Sequence, residues 1–291
     1  MTKPNVIEMH DITKKFGEFV ANDHINLDVR QGEIHALLGE NGAGKSTLMN
    51  MLSGLLQPTS GTIKVKEQEV TIDSPSKATK LGIGMVHQHF MLVEAFTVAE
   101  NIILGSEVTK AGGVLDMKKA TKEITELSER YGLAVDPTAK VADISVGAQQ
   151  RVEILKTLYR GADILIFDEP TAVLTPQETE KLFAVLRNMR SAGKSIIIIT
   201  HKLNEVLELS DRVAVLRKGK YIDTVETKGA TVESLTEMMV GEKVTLDINR
   251  TEPENAKKRI EMRGVTCRNK EGLKVLKEAS FTAYSGEILG I

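Results

Sequence analysis

The sequence holds a single cysteine, Cys267, among 291 residues. One thiol excludes an internal disulfide framework and fits a reducing compartment. An excess of either charge is also missing: 38 Lys and Arg against 40 Asp and Glu leave a formal net charge of −2. That balance removes the electrostatic reason to expect nucleic acid or an anionic lipid surface as a partner, so no nucleic acid is expected. Long apolar runs are absent. Stretches such as "IIII" at 196–199 fall far below the roughly 20 residues a membrane helix needs. The N terminus, "MTKPNVIEMHD", is polar and mixed in charge, without the apolar core of a signal peptide. The expectation is a soluble cytosolic chain of one or two domains that meets a membrane only through a partner.

What is present alternates. Short β-rich runs are expected to form strands at 6–9, 25–29, 34–38, 84–86, 164–167, 196–199 and 213–216, and helical patterns occupy 45–53, 117–131, 147–160, 176–191, 202–209 and 231–239. "ILIF" and "IIII" are apolar on both faces, as central strands of a parallel sheet must be when helices cover both sides. Helix 176–191 opens with Thr175 as N-cap, Pro176 at the first position and Glu178 closing a capping box. From about 89 to 160 the pattern is mostly helical, and it reads as a helical subdomain inserted into an α/β core. A polar stretch at 241–258 reads as a linker.

Beyond the linker the chain repeats itself. "VIEMHDIT" (6–13) returns as "RIEMRGVT" (259–266), and "NLDVRQGEIHALLG" (26–39) returns as "SFTAYSGEILGI" (280–291). The offsets nearly agree: 253 residues from Ile7 to Ile260 and 254 from Gly32 to Gly286. Equal spacing points to an internal duplication whose second copy is only begun. Residues 259–291 are therefore expected to pack poorly or be disordered.

Three stretches carry chemistry. "GENGAGKST" (39–47) fits G-x-x-x-x-G-K-[ST] between an expected strand and an expected helix. Gly42 and Gly44 permit backbone conformations that turn main-chain N–H groups inward, and the helix N terminus adds a favourable dipole for phosphate. Lys45 can reach phosphate oxygens, and the Ser46 hydroxyl can ligate Mg²⁺. "ILIFDEP" (164–170) delivers Asp168, a further Mg²⁺ ligand, at a strand end. Glu169 follows as a candidate base toward water. "ISVGAQQRVEI" (144–154) places Ser145 and Gly147 where a helix begins, 100 residues after Lys45.

These motifs, in this order, resemble the nucleotide-binding domain of ABC transporters, and the resemblance covers the whole chain. It implies an α/β P-loop NTPase core with a mostly parallel sheet, an N-terminal antiparallel β subdomain and an inserted α-helical subdomain. It implies residues 1–240 as a first cassette, with the helical subdomain at about 89–160, a linker at 241–258 and the start of a second cassette at 259–291. ATP would be held by Gly39, Glu40, Asn41, Gly42, Ala43, Gly44, Lys45, Ser46 and Thr47, with Phe16 stacked on adenine. Mg²⁺ would take Ser46, Gln88 and Asp168, and Glu169, His201 and Gln88 would serve catalysis. His87 and His89 flank Gln88 and read as loop or packing residues rather than metal ligands.

Two departures stand out. The family's L-S-G-G-Q is Ile144-Ser145-Val146-Gly147-Ala148 here, and the family's S-A-L-D is Ala172-Val173-Leu174-Thr175. Such changes look like those of tandem importers of sugars and nucleosides. "MVHQHFMLVEAFTVAENIILG" (85–105) looks closer to the nucleoside branch. The implied role is ATP hydrolysis coupled to import at the cytoplasmic face of the membrane. The implied partners are two transmembrane permease subunits, a second ABC domain whose signature would complete the site, and a solute-binding lipoprotein acting through the permease. The alternatives are sugar import of the ribose/galactose type, a soluble ABC ATPase without transport, and a module that holds ATP without hydrolysing it. The transported solute itself leaves no mark on this sequence.

Overall fold

The computed structural model describes residues 3–88, 90–110, 113–242, 256–269 and 272–290. His89 and most of the expected linker, residues 243–255, lie outside the described residues. The chain divides into two compact units, Met1–Val244 and Thr245–Ile291.

The first unit opens with two long strands, β1 (Asn5–Phe16) and β2 (Phe19–Arg30), followed by β3 (Ile34–Leu38) and α1 (Lys45–Leu52). Then come β4 (Ser60–Val65), β5 (Gln68–Val70), α2 (Pro75–Lys80) and β6 (Ile83–Val86). A helical stretch carries α3 (Val98–Ile103), α4 (Met117–Tyr131) and α5 (Val146–Tyr159). The α/β pattern resumes with β7 (Ile164–Asp168), α6 (Pro176–Ser191), β8 (Ser195–Thr200) and α7 (Leu203–Leu209), and closes with β9 (Arg212–Arg217), β10 (Lys220–Glu226) and α8 (Val232–Val240).

One ten-stranded sheet runs β5-β4-β1-β2-β10-β9-β3-β8-β7-β6. The pairs β9–β3, β3–β8, β8–β7 and β7–β6 are parallel, while β1, β2, β4 and β5 pair antiparallel at the other end. Every residue of β3 and β8 is buried, which is why both are mainly aliphatic, with His35 in β3 and the terminal Ser195 and Thr200 of β8 as the exceptions. One large cluster, including Phe167, Leu155, Ile102 and Leu186, packs α3–α6 onto one face of the sheet. Another, including Ile7, Met9, Leu48, Ile166 and Ile199, fills the space between β1–β2 and the parallel strands. Helix α6 begins as its sequence dictates, with Thr175 and Glu178 forming both reciprocal bonds of the capping box behind Pro176.

The second unit contains β11 (Lys258–Arg268) and β12 (Lys274–Tyr284), an antiparallel sheet of two strands. None of its described residues is buried. The expected poor packing is thus present. The backbone, however, is a regular hairpin rather than a disordered segment, because its pairing and turn bonds are local.

Candidate functional site

The parallel register brings four strand ends into line. Leu38 of β3 pairs with Thr200 of β8, Ile199 of β8 pairs with Asp168 of β7, and Phe167 of β7 pairs with Val86 of β6. Loop 39–44, His201, Asp168–Glu169 and Gln88 therefore emerge side by side at the carboxyl ends of the parallel strands. That edge is where open α/β sheets bind ligands.

The loop is shaped by close backbone approaches. Gly42 (φ 81°) and Gly44 (φ 94°) are left-handed. A Cβ on Gly44 would collide with the Ala21 carbonyl and the Asn22 amide, so only glycine fits there. Ala43 N–H donates to the Glu40 carbonyl at 3.1 Å, closing the turn over Asn41 and Gly42. Lys45 is buried, and its Nζ donates to the carbonyls of Gly39 (2.7 Å) and Glu40 (2.9 Å). Burial pulls Lys45 below the usual lysine range, opposed by the charges of Glu169, Asp168 and Glu40. Thr47 follows in the first turn of α1, half-buried.

Asp168 is pushed above the usual carboxylate range by burial; the Ser46 hydroxyl bonded to it opposes the shift, the Glu169 charge adds to it, and the charges of His87 and Lys45 oppose it. Glu169 sits at φ 45°, a left-handed conformation uncommon for a residue with a side chain. Its N–H donates to the Ile199 carbonyl at 3.0 Å. Its carboxylate lies 2.8 Å from His201 Nδ1 and accepts from Gln88 Nε2 at 3.5 Å. The three residues expected to act together thus converge on one carboxylate.

Other expected residues stand elsewhere. Ser145 is exposed and N-caps α5, accepting from Ala148 N–H at 3.3 Å, and Gly147 is buried against Glu178. No hydrogen bond joins Ser145 or Gly147 to the loop among the described residues. Phe16 is 48% exposed at the β1–β2 tip, with Lys14 Nζ 5.0 Å from its ring centroid. Thr175 spends its hydroxyl on the capping box of α6.

One supporting network was not expected from the sequence. Thr171 donates to Glu205 at 2.6 Å, Lys202 Nζ donates to the Thr171 hydroxyl at 3.0 Å and lies 3.1 Å from Glu205, and Thr200 donates to Glu205 at 3.4 Å. It ties the segment after Glu169 to the segment carrying His201. The usable signal was a Thr-His-Lys run followed by Glu205 at helical spacing, at the end of a buried strand.

A glycine-rich strand-to-helix loop of the G-x-x-x-x-G-K-[ST] pattern, a strand-end acidic pair and a histidine on that pair define the P-loop class of α/β domain. A family profile described as "ABC transporter" matches residues 22–172, just over half the chain. The chain belongs to the ABC transporter family. It is 58% identical to a nucleoside import ATP-binding protein, NupA, of Lactococcus lactis, over all of this chain and 57% of that relative. It is 55% identical to a guanosine import ATP-binding protein, NupO, of Bacillus subtilis, over 98% of this chain and 56% of that relative. The chain thus spans a little over half the length of these relatives. A solved ATP-binding cassette of an ABC transporter, in its ADP conformation, superposes with a TM-score of 0.72 at 25% identity, covering 82% of this chain and all of that one. No helix among the described residues is long and apolar enough to cross a membrane.

Proposed function

We propose that residues 39–47 bind the phosphates of ATP and that Glu169, held by His201 and Gln88, activates water against the terminal phosphate. The convergence of His201 and Gln88 on the Glu169 carboxylate carries this reading. Lys45 would exchange its two loop carbonyls for phosphate oxygens, and Phe16 would stack on the base. Mg²⁺ fits the donor set. Ser46 and Asp168 offer adjacent hard oxygens, Gln88 a third, and Mg²⁺ keeps water and phosphate ligands rather than a full protein cage. No cluster of three or more His, Cys, Asp or Glu suited to another metal occurs among the described residues. When bound, the ion would neutralise phosphate charge; the residues of the chain position, exclude and deprotonate.

Ser145 and Gly147 would cover ATP on a partner cassette, and a partner signature would cover the ATP held here. In our domain assignment, residues 1–240 form the first cassette, about 89–160 its helical subdomain, 241–258 a linker, and the duplicated stretch from 259 the opening of a second cassette. The turnover would drive import through two transmembrane permease subunits at the cytoplasmic face, fed by a solute-binding lipoprotein. Nucleosides are the favoured cargo, since the relatives named for nucleoside import are 55–58% identical and a glucose importer of Haloferax volcanii is 44% identical.

Glu169→Gln should retain MgATP binding and lose at least about a hundredfold in turnover, measured as phosphate release. Unchanged turnover would remove Glu169 as the base.

A further inference from the structure

We propose that Asn22, on β2, is a positioning residue for the phosphate loop: its side-chain amide grips the Gly44 carbonyl from behind and so fixes the direction of the Lys45 backbone N–H. This rests on the ATP-binding role given above to residues 39–47.

Asn22 is fully buried, and its Nδ2 donates to the Gly44 carbonyl at 3.1 Å. The same carbonyl accepts the Leu48 N–H at 3.0 Å. In a trans peptide the carbonyl and the following N–H point in opposite directions. Two donors on Gly44 therefore set the Lys45 N–H on the far side. That N–H belongs to the first turn of α1, where amides have no acceptor within the helix and are the donors a phosphate would take. A second clamp lies one residue earlier, where Gly219 N–H donates to the Ala43 carbonyl at 3.2 Å. That bond is backbone to backbone. Of the two clamps, only Asn22 depends on a side chain.

Two observations separate this role from ordinary packing. The Asn22 Oδ1 is buried without a hydrogen-bond partner among the described residues. A polar atom kept at such a cost needs a gain elsewhere, and the Nδ2 contact is where the gain falls. It also fixes the amide orientation, since a flip would set Oδ1 against the Gly44 carbonyl. The duplicated hairpin supplies the second observation. Its Cys267↔Leu276 pair repeats the Lys14↔Asn22 pair, so the equivalent of Asn22 is Leu276. The strand pairing accepts leucine at this position, so the hairpin itself does not require the amide.

The test uses the full chain and compares Asn22→Leu and Asn22→Asp with the unaltered protein, with Asn22→Ala in parallel because it cannot clash. Thermal unfolding without nucleotide and MgATP affinity by titration are measured together. Asn22→Leu should melt at or above the unaltered chain without nucleotide, since it removes the unpaired oxygen, yet bind MgATP roughly tenfold more weakly. Asn22→Ala should show the same loss of affinity. Asn22→Asp, with carboxylate facing carbonyl, should lose more than the other two. MgATP affinity in Asn22→Leu and Asn22→Ala equal to that of the unaltered chain would overturn the positioning role alone, as would a fall in melting temperature with affinity unchanged. Absence of MgATP binding by the unaltered chain would overturn the assignment of residues 39–47, and the role of Asn22 with it.

Discussion

The two hairpins of this chain, β1–β2 and β11–β12, are built on one plan and live in different surroundings. Their registers correspond pair for pair: Ile7↔Val29, Glu8↔Asp28, Met9↔Leu27 and Ile12↔Ile25 return as Ile260↔Ala283, Glu261↔Thr282, Met262↔Phe281 and Val265↔Ala279, with the irregularity between Met9 and Ile12 returning between Met262 and Val265. Left-handed residues recur at Asp11 (φ 54°) and Gly264 (φ 55°), and at His24 (φ 51°) and Glu278 (φ 48°). Even the side-chain braces repeat. Asp11 N–H donates to Asn26 as Gly264 N–H donates to Ser280, and Arg30 N–H donates to Glu33 as Tyr284 N–H donates to Glu287. Yet Ile7, Met9, Ile12 and Ile25 are wholly buried, while Ile260 is 57% exposed. Register and bulges are thus set locally, by left-handed positions and side chain-to-backbone bonds. Stability is not local, because a two-stranded hairpin is marginal without a face to bury.

The sharpest way to break this comparison is a matched truncation. Met9→Ala should cost about 2–5 kcal/mol in denaturant unfolding of the first unit, whereas Met262→Ala should stay within about 0.5 kcal/mol. Similar costs for the two would mean that the second hairpin has a buried face after all. A smaller effect is expected where the copies diverge at the tip. Phe16 corresponds to Asn269, and Phe16→Asn should weaken MgATP binding by about 1–3 kcal/mol, read by titration, with little change in unfolding. The smallest concerns the shared left-handed position. Asp11→Gly should shift unfolding by no more than about 0.5 kcal/mol. It relieves an uncommon backbone conformation and loses only an exposed contact of Asp11 with His24, both side chains being 66% exposed.

The same contrast explains what was legible beforehand. Strands β3, β7 and β8 announce themselves because burial on both faces leaves mostly aliphatic residues, and α6 because its capping box is written in consecutive residues. Strand β4 was missed since its alternation is confined to Ile63, Lys64 and Val65, and β10 since none of its side chains is buried. Helices α2 and α3, six residues each, are too short for a helical period to show. In the site, residue types and order were readable as motifs. The left-handed backbone of Glu169, the fold-back of Lys45 onto Gly39 and Glu40, and the network of Thr171, Lys202 and Glu205 were not, because each depends on neighbours supplied by strand register. Asn22 left a faint signal, a buried-strand position in "FVANDHI" occupied by an amide.

The central claim is that the loop following the first hairpin, and not the second hairpin, holds the nucleotide. Calorimetric titration of the chain with MgATP tests it most directly. One saturable site per chain is predicted, unchanged in Met262→Ala and lost in Lys45→Ala. No binding by the unaltered chain, or binding that survives Lys45→Ala undiminished, would contradict it.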